Sequence, residues 1–115
     1  MIIKKDANVP EINLTGEGIK LVSKKVLIGP DDGSSNIIMR RFKVLHGGNT
    51  PFHSHDFEHV VKIQKGNGMV VNEKKEETLI TEGQSLFIKA NEYHQFKNPF
   101  EEPFEFLCII LNPKK

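Results

Sequence analysis

Three of the five histidines in this chain lie within one short segment, and a fourth follows further along. Residues two apart in an extended strand point to the same side, so His53 and His55 are expected to project together. A turn through residues 56–58 would bring His59 back toward them on the next strand. Imidazole is a common ligand of divalent transition metals, and such an ion would offset the cost of crowding these rings. The spacing therefore predicts that His53, His55 and His59 converge. Our interpretation is that these three and His94 bind one metal ion.

The alternative interpretation is that the clustered histidines are solvated turn residues, as a lone histidine in such a segment would be. The repeated spacing at a strand–turn–strand junction favours the metal site. Glu58 could accept a hydrogen bond from a ligand imidazole and fix its tautomer, or it could be a solvated carboxylate. His46 precedes Gly47-Gly48 and is expected at the surface.

Short apolar runs separated by turn residues make up most of the chain, and no useful helical periodicity is present. This pattern predicts an all-β, single-domain sandwich or barrel. Residues 1–18 are expected to form a polar N-terminal extension, whose possible strand at Ile2-Ile3 could pair with another chain, and 19–115 the barrel. The predicted strands span residues 19–28, 36–45, 60–64, 69–71, 78–80, 85–88, 94–97 and 104–111.

Strand alternation also predicts an apolar pocket beside the histidines. A buried Arg40 would need a partner for its charge, whereas at a barrel rim its guanidinium would reach water. Cys108 could lie near the metal or be a small buried apolar residue. The residues expected to line the pocket are Ile38, Arg40, Phe42, Phe96, Phe104, Phe106 and Cys108.

The charges nearly balance, with 16 Lys and Arg against 15 Asp and Glu, for a formal net charge of +1. Nothing in this balance indicates a nucleic acid or an anionic membrane as a partner. The single cysteine excludes a disulfide within the chain, and the N-terminus lacks the apolar stretch of a signal peptide. The expected compartment is therefore the reducing cytoplasm.

The spacing around the histidines resembles the two sequence motifs of the cupins, which are small jelly-roll barrels. The motifs are G-x5-H-x-H-x3-4-E-x6-G and G-x5-P-x-G-x2-H-x3-N. His59 replaces the glutamate of the first motif, and Lys89 and Asn91 replace the proline and glycine of the second. The positions that match are Gly47, His53, His55, Gly66, Gly83, His94 and Asn98.

The resemblance implies a double-stranded β-helix barrel, with one divalent transition metal per chain, Mn, Fe, Ni or Zn. With a histidine in place of the glutamate, the sequence resembles the four-histidine subclass of small single-domain cupins. This subclass includes a manganese-binding protein from a hyperthermophilic bacterium. The implied function is dioxygenase, isomerase or lyase chemistry on a small oxygen-containing organic molecule. The alternatives are a non-catalytic module that binds a metal or ligand, and a structural zinc barrel.

The last predicted strand is apolar on both faces after Glu105. Leu107, Ile109 and Leu111 would point outward, and Ile37 and Met39 add apolar side chains on a neighbouring strand. A sheet face exposed to water normally alternates with polar residues, so this face is expected to be covered. An isologous homodimer is the commonest way to cover it.

Overall fold

A computed structural model describes residues 1–114 of the chain. Within this range the backbone forms nine strands and two short 3-10 turns, at Asp6–Asn8 and Pro30–Asp32. None of its helical segments is long and apolar enough to cross a membrane. The strands are β1 Ile12–Asn13, β2 Lys20–Ile28, β3 Ile37–Asn49, β4 His59–Lys65, β5 Asn67–Val71, β6 Glu77–Thr81, β7 Ser85–Ile88, β8 Gln95–Lys97 and β9 Phe104–Leu111.

The strands form one curled antiparallel sheet in the order β6-β5-β8-β3-β9-β4-β7. β3 is the longest strand, with 13 residues, and it also pairs with β2, which in turn pairs with β1. Its Ile37–Val44 portion pairs with β9, whereas Asn49 near its end pairs with β8. One strand thus belongs to both halves of the barrel, and the predicted all-β jelly-roll fold with a single domain is confirmed.

The strand register places apolar side chains of neighbouring strands side by side on the inner face. The inner residues of β3 lie opposite those of β9, which lie opposite those of β4 in turn. The aligned positions are Arg40 with Cys108, Phe42 with Phe106, Val44 with Phe104, Cys108 with Val61, and Phe106 with Ile63. Most of these side chains are buried and form one hydrophobic core with residues of β2, β5–β8 and the loops.

Phe104 lies at the centre of this core, with none of its surface exposed. A Cβ atom on Gly68 would come within 2.5 Å of the Phe104 ring, so the ring packs directly on the glycine backbone. Phe104 is therefore a core residue and does not line the cavity beside the histidines. Ile38 packs against the edge of the same core and is also absent from the cavity wall. Both placements differ from the sequence-based expectation.

Strand boundaries differ from the prediction mainly at Gly47 and Gly48, where β3 continues instead of ending. Gly47 adopts a positive φ of 82°, and a Cβ on Gly48 would approach the carbonyl oxygen of Lys20 to 2.6 Å. The glycines therefore permit an irregular strand that stays close to β2. Ile2-Ile3 forms no strand, and the short β1 was not predicted.

The N-terminal extension packs on the barrel of its own chain. β1 pairs with β2, and Leu14 reaches the wall of the cavity. Three ion pairs of 3.0 to 3.3 Å attach the segment: Lys4 with Asp32, Asp6 with Arg41, and Glu11 with Lys43.

Candidate metal centre

The four predicted histidines come from three places in the fold. His53 and His55 lie in the loop between β3 and β4, His59 is the first residue of β4, and His94 directly precedes β8. The His53 N–H donates to the His94 carbonyl at 3.1 Å, and the His94 N–H donates to the His53 carbonyl at 2.9 Å. This isolated bridge holds the two motif segments together at one end of the barrel.

The imidazole rings form a compact cluster. Ligand nitrogens of His53, His55 and His94 all lie within 4.8 Å of one another, a spacing at which one ion could contact all three. The His59 ring lies 5.0 Å from His55 and 5.2 Å from His94, measured between ring centroids. The structure thus brings together all four histidines selected from the sequence, with His59 beside the tighter triad.

Two hydrogen-bonding features fit a metal at this cluster. His94 Nδ1 lies 2.8 Å from the Glu92 carbonyl oxygen, which can only accept, so Nδ1 carries the proton and Nε2 keeps its lone pair. His59 Nε2 is buried and has no hydrogen-bond partner among residues 1–114. A buried nitrogen without a partner is costly, and coordination of an ion would satisfy it.

Burial and mutual repulsion favour the neutral form of three of these imidazoles, those of His53, His55 and His59. Burial, followed by the nearby His55 and His94, lowers the pKa of His53 to about 4. Burial, with His94, His55, Arg40 and His53 behind it, lowers the pKa of His59 to about 3. The pKa of His55 is lowered by burial first and then by His94 and Arg40. Neutral imidazole is the form that binds a metal, so the cluster is ready to coordinate at neutral pH.

These pKa values predict that the metal-free protein loses stability in mild acid. The histidines of the unfolded chain take up protons as the pH falls below their ordinary pKa of 6.5. In the folded protein the pKa of His53 is about 4 and that of His59 about 3, so both stay unprotonated in mild acid. The contribution of these two histidines to the free energy of unfolding is therefore fully present above pH 6.5 and is lost as the pH falls below it. Between pH 7 and pH 5 we expect a loss of about 1 to 3 kcal/mol in the free energy of unfolding.

Urea unfolding in the presence of a chelator measures this loss, and the pH 5 limit keeps most carboxylates charged. His59→Gln removes one of the two strongly shifted groups and should flatten the pH dependence. An unfolding free energy that stays constant from pH 7 to pH 5 in the metal-free wild type would contradict the assignment.

A cavity of about 320 Å³ opens beside the histidine cluster. Five of the seven predicted pocket residues line it: Arg40, Phe42, Phe96, Phe106 and Cys108. Six further lining residues were not predicted, namely Leu14, Ile19, Val22, Lys24, Thr50 and Pro51. Lys24 could have been identified from the sequence, because side chains two residues apart in a strand point to the same face. Lys24 lies two residues from Val22, which is buried on the inner face of β2.

Arg40 is half-buried in the cavity wall, between the two environments considered from the sequence. Its Nη2 donates to Cys108 Sγ at 3.1 Å, and its guanidinium carbon lies 5.0 Å from the centre of the Phe42 ring. Cys108 is itself buried, and burial raises the pKa of its thiol. The thiol therefore stays protonated at neutral pH and contributes a weak acceptor to the cavity wall.

Other residues considered from the sequence lie away from the imidazoles. Glu58 is exposed and makes no hydrogen bond to a histidine in the described part of the chain, so it is a solvated carboxylate. His46 is exposed at the surface, where its Nδ1 lies 2.8 Å from the Phe100 carbonyl oxygen. Phe57, not singled out from the sequence, stacks on His55 with 4.8 Å between ring centroids.

The fold and this histidine cluster define a small β-barrel protein with a candidate metal centre at one end. The sequence matches the family model for the cupin domain over residues 40–110, so the chain belongs to the cupins. No curated protein matches the sequence at a significant level.

Solved structures with the same fold are numerous and carry diverse descriptions. The polyketide cyclase RemF from Streptomyces resistomycificus is 24% identical, with a TM-score of 0.93 over 97% of this chain and 80% of its own. A predicted oxalate decarboxylase from Thermotoga maritima is 19% identical, with a TM-score of 0.84 over 96% and 98% of the two chains. A sugar phosphate isomerase from Silicibacter pomeroyi is 18% identical, with a TM-score of 0.77 over 91% and 72%. At these identities the likeness concerns the fold alone.

Proposed function

We propose that this cupin is a metal-dependent enzyme that acts on a small oxygen-containing organic molecule. The metal would be one divalent transition ion, Mn, Fe, Ni or Zn, held by His53, His55, His59 and His94. This proposal places the chain in the four-histidine subclass. The main support is His59 Nε2, which is buried without a hydrogen-bond partner among residues 1–114, within a histidine cluster that borders an open cavity.

The chemistry follows from the donors and the cavity beside them. Four neutral ligands leave a bound divalent ion its full charge, so it would supply Lewis acidity toward a substrate oxygen, and a redox-active ion would add electron transfer. The Glu92 carbonyl fixes the tautomer of His94. Phe42, Phe96 and Phe106 give the cavity wall an apolar, aromatic part. These features fit dioxygenase, isomerase or lyase chemistry, and the described activities of the structural neighbours are equally varied.

The proposal is tested on protein purified without chelator and reconstituted in turn with manganese, iron, nickel and zinc. Oxygen uptake is measured against a panel of diketones and keto acids, and isomerisation or bond cleavage is followed by NMR. We expect turnover that depends on the metal and disappears in His94→Ala. Tightly held zinc with no turnover of any compound would favour the alternative, a structural or non-catalytic binding barrel.

We further propose that the protein is a homodimer in the cytoplasm, and that its outer sheet face is the interface. Val60 on β4 lies directly opposite Phe87 on β7 and Ile109 on β9, and Ile109 lies opposite Met39 on β3. Val60 is 51% exposed and Phe87 58% exposed. A row of apolar side chains across four strands is unusual on a face that contacts only water. Exchange of the N-terminal extension between subunits remains a prediction.

Val60→Lys should therefore convert the dimer to a monomer, because it places a charge at the centre of this row. The side chain is half exposed in the monomer, so the fold should tolerate the substitution. Leu79→Lys, on β6 with a nearly equal exposure of 52%, is the matched control and should remain dimeric. Light scattering at micromolar concentration reports the mass. A monomeric wild type would refute the proposed interface.

A further inference from the structure

The charges around the cavity are all of one sign. Lys24 and Arg40 line it, and none of its lining residues within 1–114 is an aspartate or glutamate. The remaining lining side chains are imidazoles, apolar groups, a thiol and the Thr50 hydroxyl. A divalent ion at the histidine cluster would add further positive charge. The cavity therefore has an excess of cations that the protein itself does not neutralise.

The two cations lie close together on the inner face of the barrel. Lys24 on β2 pairs with Phe42 on β3, and Arg40 precedes Phe42 by two residues on that strand, opposite Val26. The positive charge of Arg40 contributes, after burial, to lowering the pKa of Lys24.

The neighbouring cations on the outer face are satisfied in a way that the inner ones are not. Lys25 donates to the Asp6 carbonyl at 2.8 Å, and Arg41 forms ion pairs with Asp6 at 3.0 Å and Glu105 at 3.2 Å. Lys24 and Arg40 form no ion pair within the described residues. Arg41 thus has two carboxylate partners and Lys25 a carbonyl acceptor, whereas neither Lys24 nor Arg40 has an oxygen acceptor among the described residues.

Several N–H groups of the Arg40 guanidinium have no hydrogen-bond acceptor in the described part of the chain. A guanidinium carries five N–H groups, and the hydrogen bond recorded for Arg40 goes to a thiol, which is a weak acceptor. Its Nε is buried without a hydrogen-bond partner among residues 1–114, as is that of Arg41, but the Arg41 Nε lies 3.2 Å from a Glu105 carboxylate oxygen. The contact with Phe42 orients the planar group without satisfying these donors. A half-buried guanidinium that is oriented by an aromatic ring and has free N–H donors can bind an anion through charge-assisted hydrogen bonds.

We propose that Lys24 and Arg40 form an anion subsite that binds the carboxylate of a small apolar organic acid in the cavity. The body of the acid packs on the stacked rings of Phe42, Phe96 and Phe106, whose adjacent centroids lie 5.3 and 4.4 Å apart. Its other end faces the histidine cluster. This inference rests on the proposed metal-dependent function, and it adds that the substrate is an anion.

The test uses benzoate and its neutral analogue benzamide as probes, with binding followed by NMR titration at constant ionic strength. Each probe is titrated into the zinc-loaded protein and into the metal-free protein. We expect wild type to bind benzoate at least about tenfold more tightly than benzamide, as charge-assisted hydrogen bonds are stronger than neutral ones. Lys24→Gln and Arg40→Gln should each weaken benzoate binding about tenfold, and leave benzamide affinity and zinc content unchanged.

The chain provides matched controls for both substitutions. Lys25→Gln and Arg41→Gln remove the same charges from adjacent residues on the opposite face, and should leave benzoate affinity unchanged. Arg40→Lys keeps a cation at the site and should recover part of the affinity, and Lys24→Gln tests the subsite independently if the Arg40 variants are unstable.

Several outcomes would overturn the anion subsite. They are equal affinity for benzoate and benzamide, equal losses in the inner and outer variants, and the absence of saturable benzoate binding at millimolar concentration. Failure of zinc to bind would instead contradict the metal-dependent function. The metal-free titrations would then decide the anion subsite separately.

Discussion

Replacing His94 with alanine is expected to weaken binding of a divalent transition metal by at least about a hundredfold, since even residues that only support metal ligands alter affinity 10- to 100-fold. His94 belongs to the triad whose ligand nitrogens lie within 4.8 Å of one another. Its ring is also the one whose tautomer the Glu92 carbonyl fixes. The substitution removes an oriented donor from the centre of the cluster, and no other described histidine could replace it.

Competition titration against a chelator of known affinity measures this effect. His46→Ala is the control, because His46 is exposed and hydrogen-bonded to the Phe100 carbonyl away from the cluster. The control variant should bind metal as the wild type does. Equal metal affinity in wild type and His94→Ala would exclude His94 as a ligand.

Replacing His59 with glutamate is expected to lower the reduction potential of a bound redox-active metal such as iron. The glutamate would restore the three-histidine, one-carboxylate ligand set of the common cupin motif. Its negative charge stabilises the trivalent ion more than the divalent one. A unit charge about 4 Å away contributes about 4 kcal/mol at an effective dielectric constant of about 20. That energy corresponds to a decrease of roughly 170 mV for a one-electron couple.

Spectroelectrochemistry of the iron-loaded variant measures this shift. His46→Glu adds the same charge at an exposed position and should change the potential far less, because solvent and salt screen it. An unchanged or higher potential in His59→Glu, with iron content retained, would show that residue 59 does not act on the metal.

The histidine cluster was predictable because its information is local. Alternation places His53 and His55 on one side of an extended segment, and the turn that returns His59 is short. The sequence distance to His94 does not reveal contact, and the resemblance to the second cupin motif supplied that link. The structure then shows the reason for the contact, which is the pair of backbone hydrogen bonds between His53 and His94.

The pocket was less predictable, because alternation gives the face of a strand and not the depth within the barrel. Phe104 and Phe106 share a face, yet Phe104 packs on Gly68 in the core while Phe106 lines the cavity. Leu14 was not predicted because its position depends on how the N-terminal extension folds back on the barrel. Lys24 was missed because a lysine in a strand is normally expected to face water.

Glycine residues marked the ends of strands correctly, except where a glycine lies within a strand. Gly66 lies between the predicted strands 60–64 and 69–71, and it adopts a positive φ of 74° between β4 and β5. The predicted strand 36–45 likewise ends before Gly47 and Gly48, but there glycine permits an irregular β3 to stay close to β2. Composition alone does not separate these two uses of glycine, because they differ in the neighbouring strand and not in the local sequence.

Diffraction data collected at the absorption edge of the bound metal, from crystals of the metal-loaded protein, test the central claim most directly. We predict one anomalous peak per chain, bonded to one nitrogen each of His53, His55, His59 and His94, at about 2.0 to 2.1 Å where the ion is zinc. A peak bonded to the triad alone, with His59 Nε2 still unpartnered, would contradict the four-histidine site. A peak elsewhere, or none in crystals soaked with metal, would contradict the metal centre itself.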